Sequence, residues 1–197
     1  MRRRRTARTH ASEAVPPDAL PSLLEAVRWA PSAANRQPWE LVVITEERLK
    51  RRLRDAFVEE AAGRDPRYRS VTERQADLLL APVVIAVCGD ERTKASFVNA
   101  DEIGGCVQDD LFLLTMGAAI ENLLLAATAC GLTSTWIARA ARLPAARELL
   151  GAPAWLSIVA LVALGVGVPP PSTEHRRRPI AEKVHHNRFG GGADAPE

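Results

Sequence analysis

Leu20, Leu23, Leu24 and Val27 recur at the i, i+3, i+4, i+7 spacing of one helix face, so the pattern predicts a first helix over residues 18–30. Pro17 and Pro21 are tolerated in a first turn, and Pro31 closes the helix because the residue before a proline is steered away from helical geometry. Residues 40–45 (ELVVIT) are short and β-branched and read as a strand. In the next stretch, 46–77, 17 of 32 residues are charged, nine basic and eight acidic, which fits one or two solvated helices. Residues 82–88 (PVVIAVC) form an unbroken apolar run, as expected of a strand buried on both faces. Residues 110–130 are apolar on nearly every side, so this helix belongs in a core or a subunit interface, with Gly131 as its C-cap. A short strand at 134–137, a short helix at 144–150 and a long apolar strand at 156–165 complete the pattern. The fold class expected is α+β, with few strands and one central buried helix.

A chain of 197 residues fits one domain, and 47% hydrophobic with 25% charged residues excludes wholesale disorder. The expected division is a single domain over 1–189 and a flexible tail over 190–197, where Gly190-Gly191-Gly192 begins a low-complexity end. Cys88, Cys106 and Cys130 are odd in number and widely spaced, so they suit neither a disulfide scaffold nor a zinc ribbon and read as inert core residues. The arginines at 2–5 are followed by no apolar run, so they do not form a secretory signal. Glu121 and Asn122 interrupt the most apolar stretch near its middle, which argues against a membrane span and for a cytoplasmic protein.

Net charge is only +2, but its distribution is uneven. Five arginines lie within the first eight residues, and Arg176-Arg177-Arg178 stand near the other end. Such clusters bind nucleic acid, grip a small phosphate, or are simply solvated. The nucleic-acid alternative is weak, because no aromatics interleave the arginines and no reader motif accompanies them.

Five segments form a constellation. Arg4-Arg5-Thr6-Ala7-Arg8 opens the chain, and Ala30-Pro31-Ser32-Ala33-Ala34-Asn35-Arg36-Gln37-Pro38-Trp39 joins the first helix to the first strand. Gly117 to Ala127 lies in the apolar helix, Gly131 to Ala138 follows it, and Arg177-Arg178-Pro179-Ile180 comes near the end. In this order, over roughly residues 2–189, the chain resembles the nitroreductase family of FMN-dependent oxidoreductases.

The resemblance implies a central, mostly antiparallel sheet flanked by helices, with a long buried helix and an intertwined homodimer. It implies bound FMN as cofactor and NAD(P)H as electron donor. The reaction implied is a ping-pong hydride transfer to a small electron-poor acceptor such as a nitroaromatic, quinone or conjugated carbonyl. A flavin-dependent dehydrogenase or a flavin-consuming enzyme of the same fold is the alternative. Arg4, Arg5, Thr6 and Arg8 from the first segment and Arg177 from the last would converge on the FMN phosphate, which suits the fixed charge and forked donors of arginine. Pro31, Ser32, Ala33 and Asn35 would touch the flavin held chiefly by the other subunit. Backbone amides near Ala138 and Arg139 would face the ring's N5, and Arg74 or Gln75 its N3 and O4 edge. Arg2 and Arg3 have no matched role, and Gln37 and Trp39 stand open between site and structure.

Two departures from the family pattern matter. Thr6 replaces the usual serine but keeps its hydroxyl, and His175 stands where many members carry lysine. His185-His186 would diverge on a helix and make a poor metal pair, while Asp109-Asp110 and Glu46-Glu47 read as helix N-terminal charges. Gly165-Val166-Gly167 runs into three prolines rather than a helix and is no dinucleotide fingerprint. No acid, base or nucleophile stands out, which fits chemistry carried by a cofactor.

Overall fold

The structure, a computed structural model, describes residues 1, 3–62, 73–96, 105–167 and 177–190. Its elements are α1 (Ala19–Arg28), β1 (Trp39–Ile44), α2 (Glu47–Ala62), β2 (Val83–Asp90), α3 (Gly105–Ala129), β3 (Thr133–Ile137), α4 (Pro144–Leu149) and β4 (Leu156–Gly165). The four strands form one antiparallel sheet in the order β1-β2-β4-β3. The α+β class expected from the sequence is the one observed.

Helices cover both faces. On one side α1 and α3 pack over Val83, Ile85 and Val87 of β2 and Ala160, Val162 and Leu164 of β4. On the other, α2 and α4 pack over Val84, Ala86 and Cys88 together with Leu161 and Ala163. Alternate residues of β2 and β4 therefore serve different cores, which is why these strands read as unbroken apolar runs. α3 comes close to the sheet at Gly89, where an added Cβ would collide with the Phe112 ring. The polar Asn122 is accommodated because its Nδ2 donates to the Ala26 carbonyl of α1 over 3.0 Å. Gly131, at φ 74°, ends α3, and the Leu132 amide returns to the Ala127 carbonyl over 2.8 Å.

Two sequence expectations are corrected. α3 begins at Gly105, so Asp109 and Asp110 are not at its N-terminus, and Asp109 instead pairs with Lys94 over 2.7 Å. Cys88 is buried as expected, but Cys130 is exposed just beyond the last turn of α3. Within one subunit α3 is only partly covered: Leu114 is 70% exposed, and Val107 and Leu113 are exposed too. His175, Arg176 and the tail residues 191–197 fall outside the described residues.

Candidate functional site

β3 is an edge strand, and the N-terminal segment crosses it. Thr6 makes a parallel bridge to Ser134, and the Ala7 amide donates to the Ser134 carbonyl over 3.0 Å. Side chains of β3 tie it to both of its neighbours, the segment and β4. The Thr135 hydroxyl donates to the Ala7 carbonyl at 2.6 Å, and the Thr133 hydroxyl donates to the Gly165 carbonyl at 2.8 Å. The His10 ring sits between these two hydroxyls, with Nδ1 2.9 Å from Thr133 Oγ1 and Nε2 3.4 Å from Thr135 Oγ1. Burial pushes the His10 pKa down. An added Cβ at Gly165 would press on the His10 side chain, so the glycine makes room for the ring.

The arginines project from this locked segment. Arg4 is half-buried with its Nε 3.9 Å from Glu121 Oε1 on α3, and Arg5 Nη1 donates to the Arg4 carbonyl over 2.9 Å. Arg8 and Thr6 are exposed. Cross-strand partners share a face, and Leu164, opposite Ser134, belongs to the core under α1 and α3. Ser134 therefore faces α3, the side toward which Arg4 also points. Its Oγ is buried without a hydrogen-bond partner among the described residues.

The loop between α1 and β1 is the second component. Ala34, Asn35 and Gln37 adopt positive φ of 50°, 53° and 48°, a region that side-chain-bearing residues rarely occupy. Such strain clusters where a loop must hold a set shape. The loop is held from within by Ser32 Oγ, which accepts from the Gln37 amide at 3.1 Å, and by Gln37 Nε2, which donates to Asn35 Oδ1 at 3.2 Å. It is held to the core by the Ala33 amide, which donates to the buried Thr115 hydroxyl of α3. Pro31 and Asn35 are exposed, Ser32 and Ala33 half-buried. Gln37 thus has a loop-shaping role, and Trp39 packs half-buried against the α3 core.

The remaining candidates are placed separately. Ala138 is exposed and Arg139 half-buried where β3 ends, four and five residues beyond Ser134. Gln75 is half-buried and Arg74 exposed in a short helical turn over residues 73–77. Arg177 opens the segment 177–190, exposed throughout, and no hydrogen bond or ion pair among the described residues ties it to Arg4, Thr6 or Arg8. The structure thus joins the arginine segment to β3 and the loop to α3, while Arg177 and Gln75 are joined to neither. Sequence reading missed His10, Thr115, Glu121 and Ser134. The one signal available was a polar residue at a buried position of β3.

The profile of the nitroreductase family matches residues 1–166. A protein of Archaeoglobus fulgidus, provisionally named NADH dehydrogenase/NAD(P)H nitroreductase, is 30% identical over 166 residues, covering 82% of this chain and 80% of that one. A nitroreductase-like family protein from Bacillus cereus superposes with a TM-score of 0.69 at 25% identity, over 93% of this chain and 91% of its own. A nitroreductase with bound FMN from Bacteroides fragilis superposes at 0.68 with 22% identity, over 89% and 90% of the two chains. A family match of this extent, together with the matching fold, decides the assignment: the chain belongs to the nitroreductase family.

Proposed function

We propose that this protein is an FMN-dependent oxidoreductase that acts as a homodimer in the cytoplasm. The observation that carries the reading is the arginine segment 4–8 laid across the edge of β3 and fixed there by main-chain and side-chain hydrogen bonds. The donor set suits a phosphate monoester, since guanidinium groups stay charged and a hydroxyl adds a neutral donor. Bound FMN would supply the redox chemistry, passing a hydride from NAD(P)H to a nitroaromatic, quinone or conjugated carbonyl in a ping-pong cycle.

The chain's own residues hold and orient. Arg4, Arg5, Thr6 and Arg8 grip the phosphate, with Arg177 joining them from the C-terminal segment. The amides at Ala138 and Arg139 would offer a donor to N5 of the ring. Gln75 would serve the N3 and O4 edge.

The shared site has its own support. Thr115, which holds the loop, and Glu121, which meets Arg4, are six residues apart on α3. At 3.6 residues per turn they point about 120° apart. Within one subunit the loop and the arginine segment therefore attach to different sides of α3. Pro31, Ser32, Ala33 and Asn35 then serve the flavin of a second copy rather than that of their own chain.

The test is direct. Purified protein given FMN should turn yellow at about one flavin per subunit and bleach anaerobically when NADH or NADPH is added. Protein that stays colourless and shows no saturable FMN binding ends the reading.

A further inference from the structure

We propose that the Ser134 hydroxyl is a further hydrogen-bond donor to the phosphate end of the bound cofactor, an inference that rests on the FMN reading above. Three consecutive hydroxyls line β3 and only the middle one lacks a partner among the described residues. Thr133 donates to the Gly165 carbonyl at 2.8 Å and Thr135 to the Ala7 carbonyl at 2.6 Å. Ser134, 2% exposed, has its Oγ buried and unsatisfied. Buried hydroxyls are almost always bonded, because leaving one unpaired forfeits its hydration without return. An orphan in a well-ordered strand therefore marks a place where a ligand supplies the missing acceptor.

The surroundings say what kind of acceptor. Ser134 is the bridge partner of Thr6, and paired residues of adjacent strands point to the same side. Both face α3, where Arg4 Nε stands 3.9 Å from Glu121 Oε1. Arg4 and Thr6 are two residues apart in a near-extended segment, so they share that side. The result is a guanidinium and two hydroxyls on one side of the β3 edge, all able to donate. Glu121 is the one carboxylate in contact with Arg4 among the described residues, and it orients the guanidinium without reaching Ser134 by any hydrogen bond. A phosphate dianion, rich in acceptors and needing several donors, satisfies this set.

The proposal makes a crossed prediction that a merely structural serine does not. Ser134→Ala removes an unsatisfied polar group from the apoprotein and a donor from the complex. The melting temperature of apo Ser134→Ala should equal or exceed that of the wild type. Its FMN affinity should fall about tenfold or more, as for a lost hydrogen bond to a charged group, while riboflavin affinity should change less than twofold. Ser134→Cys, close in volume but a poor donor, should repeat the FMN-selective loss. A lower apo melting temperature, parallel losses for FMN and riboflavin, or no loss for either would overturn the assignment. Wild-type protein that binds no FMN would overturn the cofactor reading and this inference with it. Wild-type binding with an unaffected Ser134→Ala variant would overturn this inference alone.

Discussion

The Ala33 amide donates to the Thr115 hydroxyl over 3.1 Å, so a strained surface loop is pinned to the buried face of the longest helix. The bond spans 82 residues of sequence and ties the segment that follows α1 to the middle of α3. It explains why the backbone at Ala34 can be held at φ 50°, where an alanine is sterically disfavoured.

That strain is measurable. Ala34→Gly should raise unfolding stability by about 0.5–1 kcal/mol, because glycine takes this conformation without a Cβ clash and pays back part in chain entropy. Thr115→Val should do the reverse, costing about 1–2 kcal/mol by leaving the Ala33 amide without its acceptor. Urea unfolding of the two variants reads both signs. A destabilised Ala34→Gly would mean that the loop's shape comes from side-chain contacts rather than from imposed backbone geometry.

His10 and Gly165 form the second pair. Gly165→Ala should destabilise the protein in the presence of His10, whose Cβ would lie against the new methyl group, and much less in a His10→Ala background. The pH dependence has a definite sign. Burial holds the folded-state pKa of His10 below its ordinary 6.5, so the folded state resists protonation. Its contribution to stability is complete above pH 6.5 and is lost as pH falls from there through the lowered folded-state value. Unfolding titrations at pH 7.5 and 5 should show a smaller difference in His10→Gln than in the wild type. An equal difference would mean that other groups govern acid stability.

The cysteines divide by environment. Burial, and secondarily the nearby charge of Glu40, pushes the Cys88 thiol up to about 11, while Cys130 lies exposed. An aromatic disulfide reagent at pH 8 should label Cys130 in the native protein and Cys88 only after denaturation, as read by mass spectrometry of the tryptic peptides. Native labelling of Cys88 on the same timescale as Cys130 would show that the β2 core opens readily.

The elements were legible in the sequence either as a helical period or as an unbroken apolar run. Leu23 and Val27 repeat for α1, and the runs of β2 and β4 stay apolar because helices cover both of their faces. The start of α3 was not legible. Gly105 is a poor helix residue, and Asp109-Asp110 mimic the acidic first turn that they in fact follow by a full turn. The arginine segment and the loop stood out in the sequence because, taken in order with the other segments, they match a family pattern. Ser134 could not, since a serine in a short strand looks solvated until the fold places Leu164 opposite and Thr6 alongside. The strain at Ala34 was equally hidden, because no alanine advertises a positive φ.

The open face of α3 carries the last prediction. Val107, Leu114 and Glu121 recur at seven-residue spacing, and Leu114 is 70% exposed on an otherwise core-forming helix. Gly117 and Ala118, half-buried between them, would let a second helix approach closely. The dimer proposed above would use this stripe, which ends at Glu121, where the arginine segment attaches. Leu114→Lys should therefore convert a wild-type dimer to monomer in light scattering, because a buried unpaired ammonium is costly at a symmetric contact where it meets its own copy. FMN affinity should fall together with dimerisation if, as proposed, loop 31–35 of one copy serves the flavin of the other. Arg51→Glu, exposed on α2 across the sheet, should leave both unchanged. A Leu114→Lys monomer that retains full FMN affinity would show that each subunit completes its own site, and the role given to Pro31, Ser32, Ala33 and Asn35 would be wrong.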